Sequence, residues 1–156
     1  MSATPAIAGG SPVRATLLPY GRQLIDEADV AAVVEVLRSD WLTTGPEVNE
    51  FESALAKIAG VKYAVAVSSG TAALHGVMDA LGVGIGDEVI VPAMTFAASA
   101  NCAVYQGARP IFADVDPMSL LIDVASVESK ISSKTKAIVA VDYAGQPCNY
   151  NNLRAL

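Results

Sequence analysis

Val67-Ser-Ser-Gly-Thr-Ala-Ala-Leu74 has the pattern of a strand, a turn of small residues and a helix. Such a turn leaves backbone N–H groups free at a helix start, where the helix dipole favours an anion. The hydroxyls of Ser69 and Thr71 add donors, and Gly70 lets a ligand approach the backbone. The segment is either a phosphate cup or a helix start whose Ser and Thr serve as caps. Pro92-Ala-Met-Thr-Phe-Ala-Ala-Ser-Ala-Asn101 follows a second strand. Its Phe96 either stacks on a planar ring or fills the core. Asp40-Trp41-Leu42-Thr43-Thr44-Gly45 sets the only Trp in a polar loop with two hydroxyls. That loop either grips a polar ligand with a flat group or joins two helices with Trp41 pinned to the core.

Other chemistries find no residues to carry them. Gly82-Val-Gly84-Ile-Gly86 follows a helix and precedes a strand, the reverse of a dinucleotide fingerprint. No GxxxxGK[ST] phosphate loop occurs. The single His, His75, falls mid-helix and is expected to pack rather than to catalyse. Cys102 and Cys148 lie far apart without CxxC or His spacing, so reduced thiols are expected, with no zinc or other metal site.

Composition narrows the class. The 156 residues are 53% hydrophobic and 17% charged, which suits one folded domain and excludes general disorder. Ten basic against 16 acidic residues give a net charge of −6, without the basic footprint of a nucleic-acid binder. Met1 to Pro12 carries no basic residue and lacks a signal peptide's apolar core, so a disordered lead-in is expected. Val89 to Ala108 is uncharged, yet Pro92, Thr95, Ser99, Asn101 and Gln106 interrupt it, which argues against a membrane span. A cytoplasmic location is expected.

The elements that must position these residues follow from periodicity. Asp26, with Asp29 at the third position, caps a helix with a Val30, Val33, Val34 and Leu37 stripe, ending near Ser39. Pro46 opens a second helix with a Val48, Phe51, Leu55 and Ile58 stripe, and Gly60 closes it. Strands are expected at 63–67, 88–91, 109–113 and 136–142. Helices are expected from the 68–71 turn to about Leu81, from Thr95 to about Gln106, from the Asp123 cap through Ile131, and from about Asn149. Helices alternating with unbroken apolar strands imply a mostly parallel sheet covered on both faces. Ligands of such sheets bind at the strands' carboxyl ends, hence the turns after Val67, Val91 and Val141.

Taken in order, several segments carry a resemblance. They are Tyr20-Gly-Arg-Gln-Leu-Ile-Asp26, Ser39-Asp-Trp-Leu-Thr-Thr-Gly-Pro46, Ser69-Gly-Thr-Ala-Ala-Leu74, Gly86-Asp-Glu-Val-Ile-Val-Pro92, Thr95-Phe96, Phe112-Ala-Asp-Val-Asp116 and Tyr143-Ala-Gly-Gln-Pro147. From about Leu17 onward the chain resembles the DegT/DnrJ/EryC1/StrS sugar aminotransferases, which depend on pyridoxal 5'-phosphate (PLP).

The resemblance implies an α/β fold, the N-terminal part of the large domain of a fold type I PLP-dependent transferase, truncated and with a mostly parallel sheet. It implies a lead-in at 1–16, N-terminal helices and a substrate loop at 17–62, and an incomplete PLP-binding domain at 63–156. The implied reaction moves an amino group from glutamate to a UDP-linked 4-keto-6-deoxy sugar, in a homodimer. A related sugar aminotransferase, a PLP-dependent sugar dehydratase and an inert phosphate-binding fragment are the alternatives. By analogy Thr71 and Ala72 hold the cofactor phosphate and Phe96 stacks on its ring. Tyr20, Gly70, Asp40, Trp41, Leu42 and Thr43 line the substrate site. The family also needs a Lys that forms the Schiff base and an Asp against the pyridine nitrogen. Lys57, Lys62, Lys130, Lys134 and Lys136 lie outside the family's Ser-containing Lys motif, so no catalytic residue is assigned and the chain is expected not to catalyse transamination. Asp142 stands where many relatives have His.

Overall fold

The computed structural model describes residues 4–19 and 21–156. Tyr20, expected in the substrate site, lies outside the described residues. The described chain divides between Ala64 and Val65 into two compact units.

The first unit holds a short 3-10 turn at Ala6–Ala8 and two helices, α1 (Glu27–Arg38) and α2 (Pro46–Ala59). The start of α1 is closed by a reciprocal cap. Asp26 Oδ1 accepts the N–H groups of Ala28 and Asp29 at 2.9 and 3.0 Å, and Asp29 Oδ2 accepts that of Asp26 at 2.9 Å. This satisfies donors that have no carbonyl one turn earlier. Gly60, at φ +66, ends α2 in the left-handed conformation that Gly adopts without a Cβ clash. The apolar stripes stand where the periodicity puts them, but Val30, Val33, Leu37, Val48, Phe51, Leu55 and Ile58 are exposed.

The second unit begins with α3 (Gly70–Ala80). It continues through β1 (Glu88–Pro92), α4 (Ala98–Tyr105), β2 (Arg109–Ala113), α5 (Val124–Glu128), β3 (Thr135–Ile138) and α6 (Tyr150–Arg154). The strands form one parallel sheet in the order β2-β1-β3. Central β1 is buried along its whole length. Successive side chains of a strand point to opposite faces. Val89 and Val91 accordingly join Met78, Cys102 and Ala103 in one cluster, while Ile90 joins Ala113, Ile122, Val127 and Leu153 in another. This double burial is the reason the strand sequence does not alternate.

Glu88 ties the amino ends of the sheet together. Its Oε1 accepts Arg109 Nη2 at 2.9 Å, and its Oε2 accepts the Ser132 hydroxyl at 2.7 Å. Its N–H donates to Lys134 O at 2.8 Å. The Ser132 hydrogen bond, then the Arg109 charge, holds the Glu88 carboxyl below its ordinary pKa.

The structure corrects several expected boundaries. Residues 63–67 form no strand, and Val65 is 76% exposed. β-prone residues alone do not make a strand, and the three-stranded sheet does not include this segment. Val65 and Val67 instead lie beside α3, where with Ala72, Gly76 and Val77 they line an apolar groove of about 390 Å3. The strand expected at 136–142 is the shorter β3, although Val139 N–H still reaches Ile90 O at 2.8 Å. The helix expected from Thr95 starts at Ala98, and the one expected to reach Ile131 ends at Glu128.

Candidate functional site

Topology brings two loops to the carboxyl edge of the sheet. Helix α3 ends where the chain turns into the start of β1, and α4 begins just past the end of β1. The two helices pack on one another. Their N-termini therefore both face the carboxyl edge, where ligands of parallel sheets bind.

At the start of α3 the Ser69 hydroxyl accepts the Ala72 N–H at 3.1 Å. Ser69 is thus a true cap, one of the two alternatives its sequence left open. The cap leaves donors for an anion. The N–H groups of Gly70 and Thr71 have no helical carbonyl one turn earlier, and the Ser69 hydroxyl proton is not spent in accepting. A Cβ added to Gly70 would meet nothing within 4 Å, so the space in front of this turn is open. Gly70 is exposed, whereas Thr71 and Ala72 are half-buried. Ala72 N–H is engaged by Ser69 and is not one of the available donors.

Phe96, in the loop after β1, is 78% exposed and is not a core aromatic. Beside it, the hydroxyls of Thr95 and Ser99 are 2.7 Å apart, and Ser99 N–H donates to Phe96 O at 3.0 Å. After β3, Asp142 Oδ1 accepts Cys148 N–H at 2.9 Å and the Tyr150 hydroxyl at 2.8 Å. Those bonds, the Cys148 one foremost, hold the Asp142 carboxyl below its ordinary pKa. Burial, then Asp142, pushes the Cys148 thiol up. The Thr95–Ser99 pair and the Asp142 node were not assigned from the sequence. The signals that mark them are that Thr95 belongs to a segment carrying the resemblance and that Asp142 stands where many relatives have His.

In the first unit, Trp41 is 60% exposed and Leu42 65% exposed, so Trp41 is not pinned into a core. Ser39 shapes their loop by accepting Trp41 N–H at 3.1 Å and donating to Val36 O at 2.8 Å. A Cβ on Gly45 would come within 2.9 Å of Trp41 Cβ, which explains the Gly there. Asp40 and Thr43 belong to the same exposed loop.

His75 is exposed on α3 with its ring centroid 5.3 Å from that of Tyr105. In the second unit Lys134 and Lys136 flank the amino end of β3, and Lys130 follows α5. None of these lies at a strand's carboxyl end. Among the described residues, no group of three or more His, Cys, Asp or Glu could hold a metal, and no helix is long and apolar enough to cross a membrane.

Solved structures of PLP enzymes share this architecture. Spr1654 of Streptococcus pneumoniae, assigned as a sugar aminotransferase and solved in PLP and pyridoxamine phosphate forms, is 40% identical with a TM-score of 0.84. The match covers 88% of this chain and 35% of that one. DesV of S. venezuelae is 36% identical at a TM-score of 0.77, over 81% of this chain and 34% of its own. A GDP-4-keto-6-deoxymannose-3-dehydratase is 34% identical at 0.82, over 88% of this chain and 37% of its own. The chain thus spans about a third of the length of these relatives. The parallel sheet and its loop-lined carboxyl edge are those of the fold type I PLP-dependent transferases. Within that class the profile of the DegT/DnrJ/EryC1/StrS aminotransferase family matches residues 23–156, and the chain belongs to this family.

Proposed function

We propose that this chain is the N-terminal, cofactor-phosphate-binding part of a PLP-dependent sugar aminotransferase. The observation that carries the reading is the open, capped start of α3 at Ser69 to Ala72, at the edge that also presents an exposed Phe96. Thr71 holds the cofactor phosphate through its N–H and hydroxyl, with Gly70 N–H and the Ser69 hydroxyl as further donors. Ala72 contributes by closing the turn on Ser69. Phe96 offers its face to the pyridine ring, where stacking favours offset contact. When bound, the cofactor supplies an electron sink for breaking bonds at the amino-bearing carbon.

The substrate in this reading is a UDP-linked 4-keto-6-deoxy sugar, with glutamate as amino donor. The quoted Tyr20 and Ser39-Asp-Trp motifs most resemble those of the UDP-4-amino-4,6-dideoxy-N-acetyl-β-L-altrosamine transaminase of pseudaminic acid biosynthesis. Tyr20, Asp40, Trp41, Leu42, Thr43 and Gly70 line the sugar site, and the working protein is a cytoplasmic homodimer. The dehydratase relative keeps a second reading open, in which the same sheet edge serves removal of a sugar hydroxyl.

In this reading the chain binds cofactor without turning it over, because none of Lys57, Lys62, Lys130, Lys134 and Lys136 lies in the family's Ser-containing Lys motif. Incubation with PLP and glutamate, followed by assay of 2-oxoglutarate, tests this. Cofactor binding without turnover is expected. Release of 2-oxoglutarate at enzymatic rates would overturn the assignment of no catalytic Lys. Absence of any cofactor binding would overturn the phosphate cup.

A further inference from the structure

We infer that Thr95 and Ser99 form a hydroxyl latch that positions Phe96 for its ligand. The inference rests on the reading of Phe96 as the ring-stacking residue. Helix α4 starts at Ala98, and its N-cap residue, Ala97, gives it no side-chain cap. An uncapped start frays, and here the fraying end would carry Phe96 with it. The latch occupies this gap. Thr95 and Ser99 flank Phe96 in sequence, and their hydroxyls meet at 2.7 Å. Ser99 is only 6% exposed and so anchors the pair to the body of the unit. Its N–H also holds Phe96 O at 3.0 Å. The backbone of Phe96 is thus fixed on both sides while its ring stays 78% exposed. An exposed aromatic on a fixed backbone binds a flat ligand with less ordering cost than one on a mobile loop. The same pair spans the turn after central β1, whose Ala93 N–H is tied to Ala113 O at 2.8 Å, so the loop has a rigid base. Thr95 and Ser99 are positioning residues here, acting through Phe96.

Two readouts test the latch on the full chain. Amide hydrogen exchange over residues 96–101 reads the loop itself. Pyridoxamine phosphate binding by equilibrium dialysis reads the ring, and this amine form does not react with surface lysines. Thr95→Val should speed exchange about fivefold and weaken binding by a similar factor, as expected for one lost hydrogen bond. Thr95→Ser keeps the hydroxyl and should match the parent in both. Ser99→Ala should reproduce Thr95→Val, which covers a misfolded valine variant. Thr95→Val combined with Phe96→Leu should bind no more weakly than Phe96→Leu alone. Unchanged exchange in Thr95→Val would overturn the latch. Faster exchange with unchanged binding would overturn its positioning role. If Phe96→Leu itself leaves binding unchanged, or the parent chain does not bind, the stacking reading falls and the inference with it, whatever the exchange shows.

Discussion

Ser132 donates its hydroxyl to Glu88 at 2.7 Å across 44 positions of sequence. Arg109 holds the other carboxylate oxygen at 2.9 Å. The contacts join the first residues of β1 and β2 to the turn before β3. They favour the ionised form, which places the folded-state pKa of Glu88 below its ordinary 4.5. A carboxyl with a depressed pKa contributes stability above its unfolded value and loses it as pH falls through the folded value. The contribution of Glu88 to the sheet should therefore fade as pH falls below about 4.5. Ser132→Ala removes the largest cause of the depression. Its acid-unfolding midpoint, followed by circular dichroism, should lie at higher pH than the parent's. An unchanged midpoint would show that Glu88 does not govern acid stability.

Gly70 separates the cup from a plain helix cap. Its φ is not in the left-handed region, and a Cβ there meets open space. Gly70→Ala should therefore leave the fold intact, or raise stability by up to about 1 kcal/mol through lost chain entropy. The same methyl would stand in the path of a phosphate approaching the Gly70 and Thr71 N–H groups. Pyridoxamine phosphate affinity should fall at least tenfold with an undiminished Tm. Equal affinity in the variant would sink the idea that a ligand comes close to this backbone.

Local signals were legible wherever they concern one helix and its own side chains. Asp26 with Asp29, Pro46 with Gly60, Asp123 and Asn149 each start or stop a helix as their types require. The strand core at 88–91 was legible because burial on both faces demands an unbroken apolar run, and 109–113 because Ile111 and Phe112 are β-prone, although Phe112 is 53% exposed on this edge strand. Residues 63–67 carry the same signal without a strand, since pairing depends on partners elsewhere in the sequence. In the site, Ser69 and Phe96 were legible as alternatives only. Whether Ser69 caps, and whether Phe96 is buried, depends on what packs nearby, and the structure answers yes to the first and no to the second. Thr95 and Ser99 form a pair only because the bend before α4 folds Thr95 back onto the first turn of that helix.

The centre of β1 sets the limit of mutational tolerance. Ile90 is fully buried and packs with Ile122, just before α5, and with Val127, within it. Ile90→Val should cost about 0.5–1.5 kcal/mol, and Ile90→Ala about 2–5 kcal/mol. Denaturant titration of both variants checks the order and the spacing. A cost for Ile90→Ala below that of Ile90→Val would contradict the central place given to this strand.

Asp142 controls the thiol beside it. Its Oδ1 accepts Cys148 N–H and the Tyr150 hydroxyl, so one carboxylate fixes the turn between β3 and α6. Cys148 Sγ in turn donates to Val141 O at 3.2 Å. Burial is the first cause of the raised Cys148 pKa, and the neighbouring carboxylate adds to it. Asp142→Asn keeps an acceptor at Oδ1 but removes the charge. The turn should survive, and the apparent pKa for Cys148 alkylation should fall relative to the parent. It should still exceed the ordinary 9.0, because burial remains. Asp142→Ala removes the acceptor as well. It should speed Cys148 alkylation further by loosening the turn, and it should also bring the Tyr150 phenol down towards its ordinary value. Peptide-resolved mass spectrometry across pH separates Cys148 from buried Cys102. Identical Cys148 profiles in the parent and in Asp142→Asn would show that the carboxylate's charge does not reach the thiol.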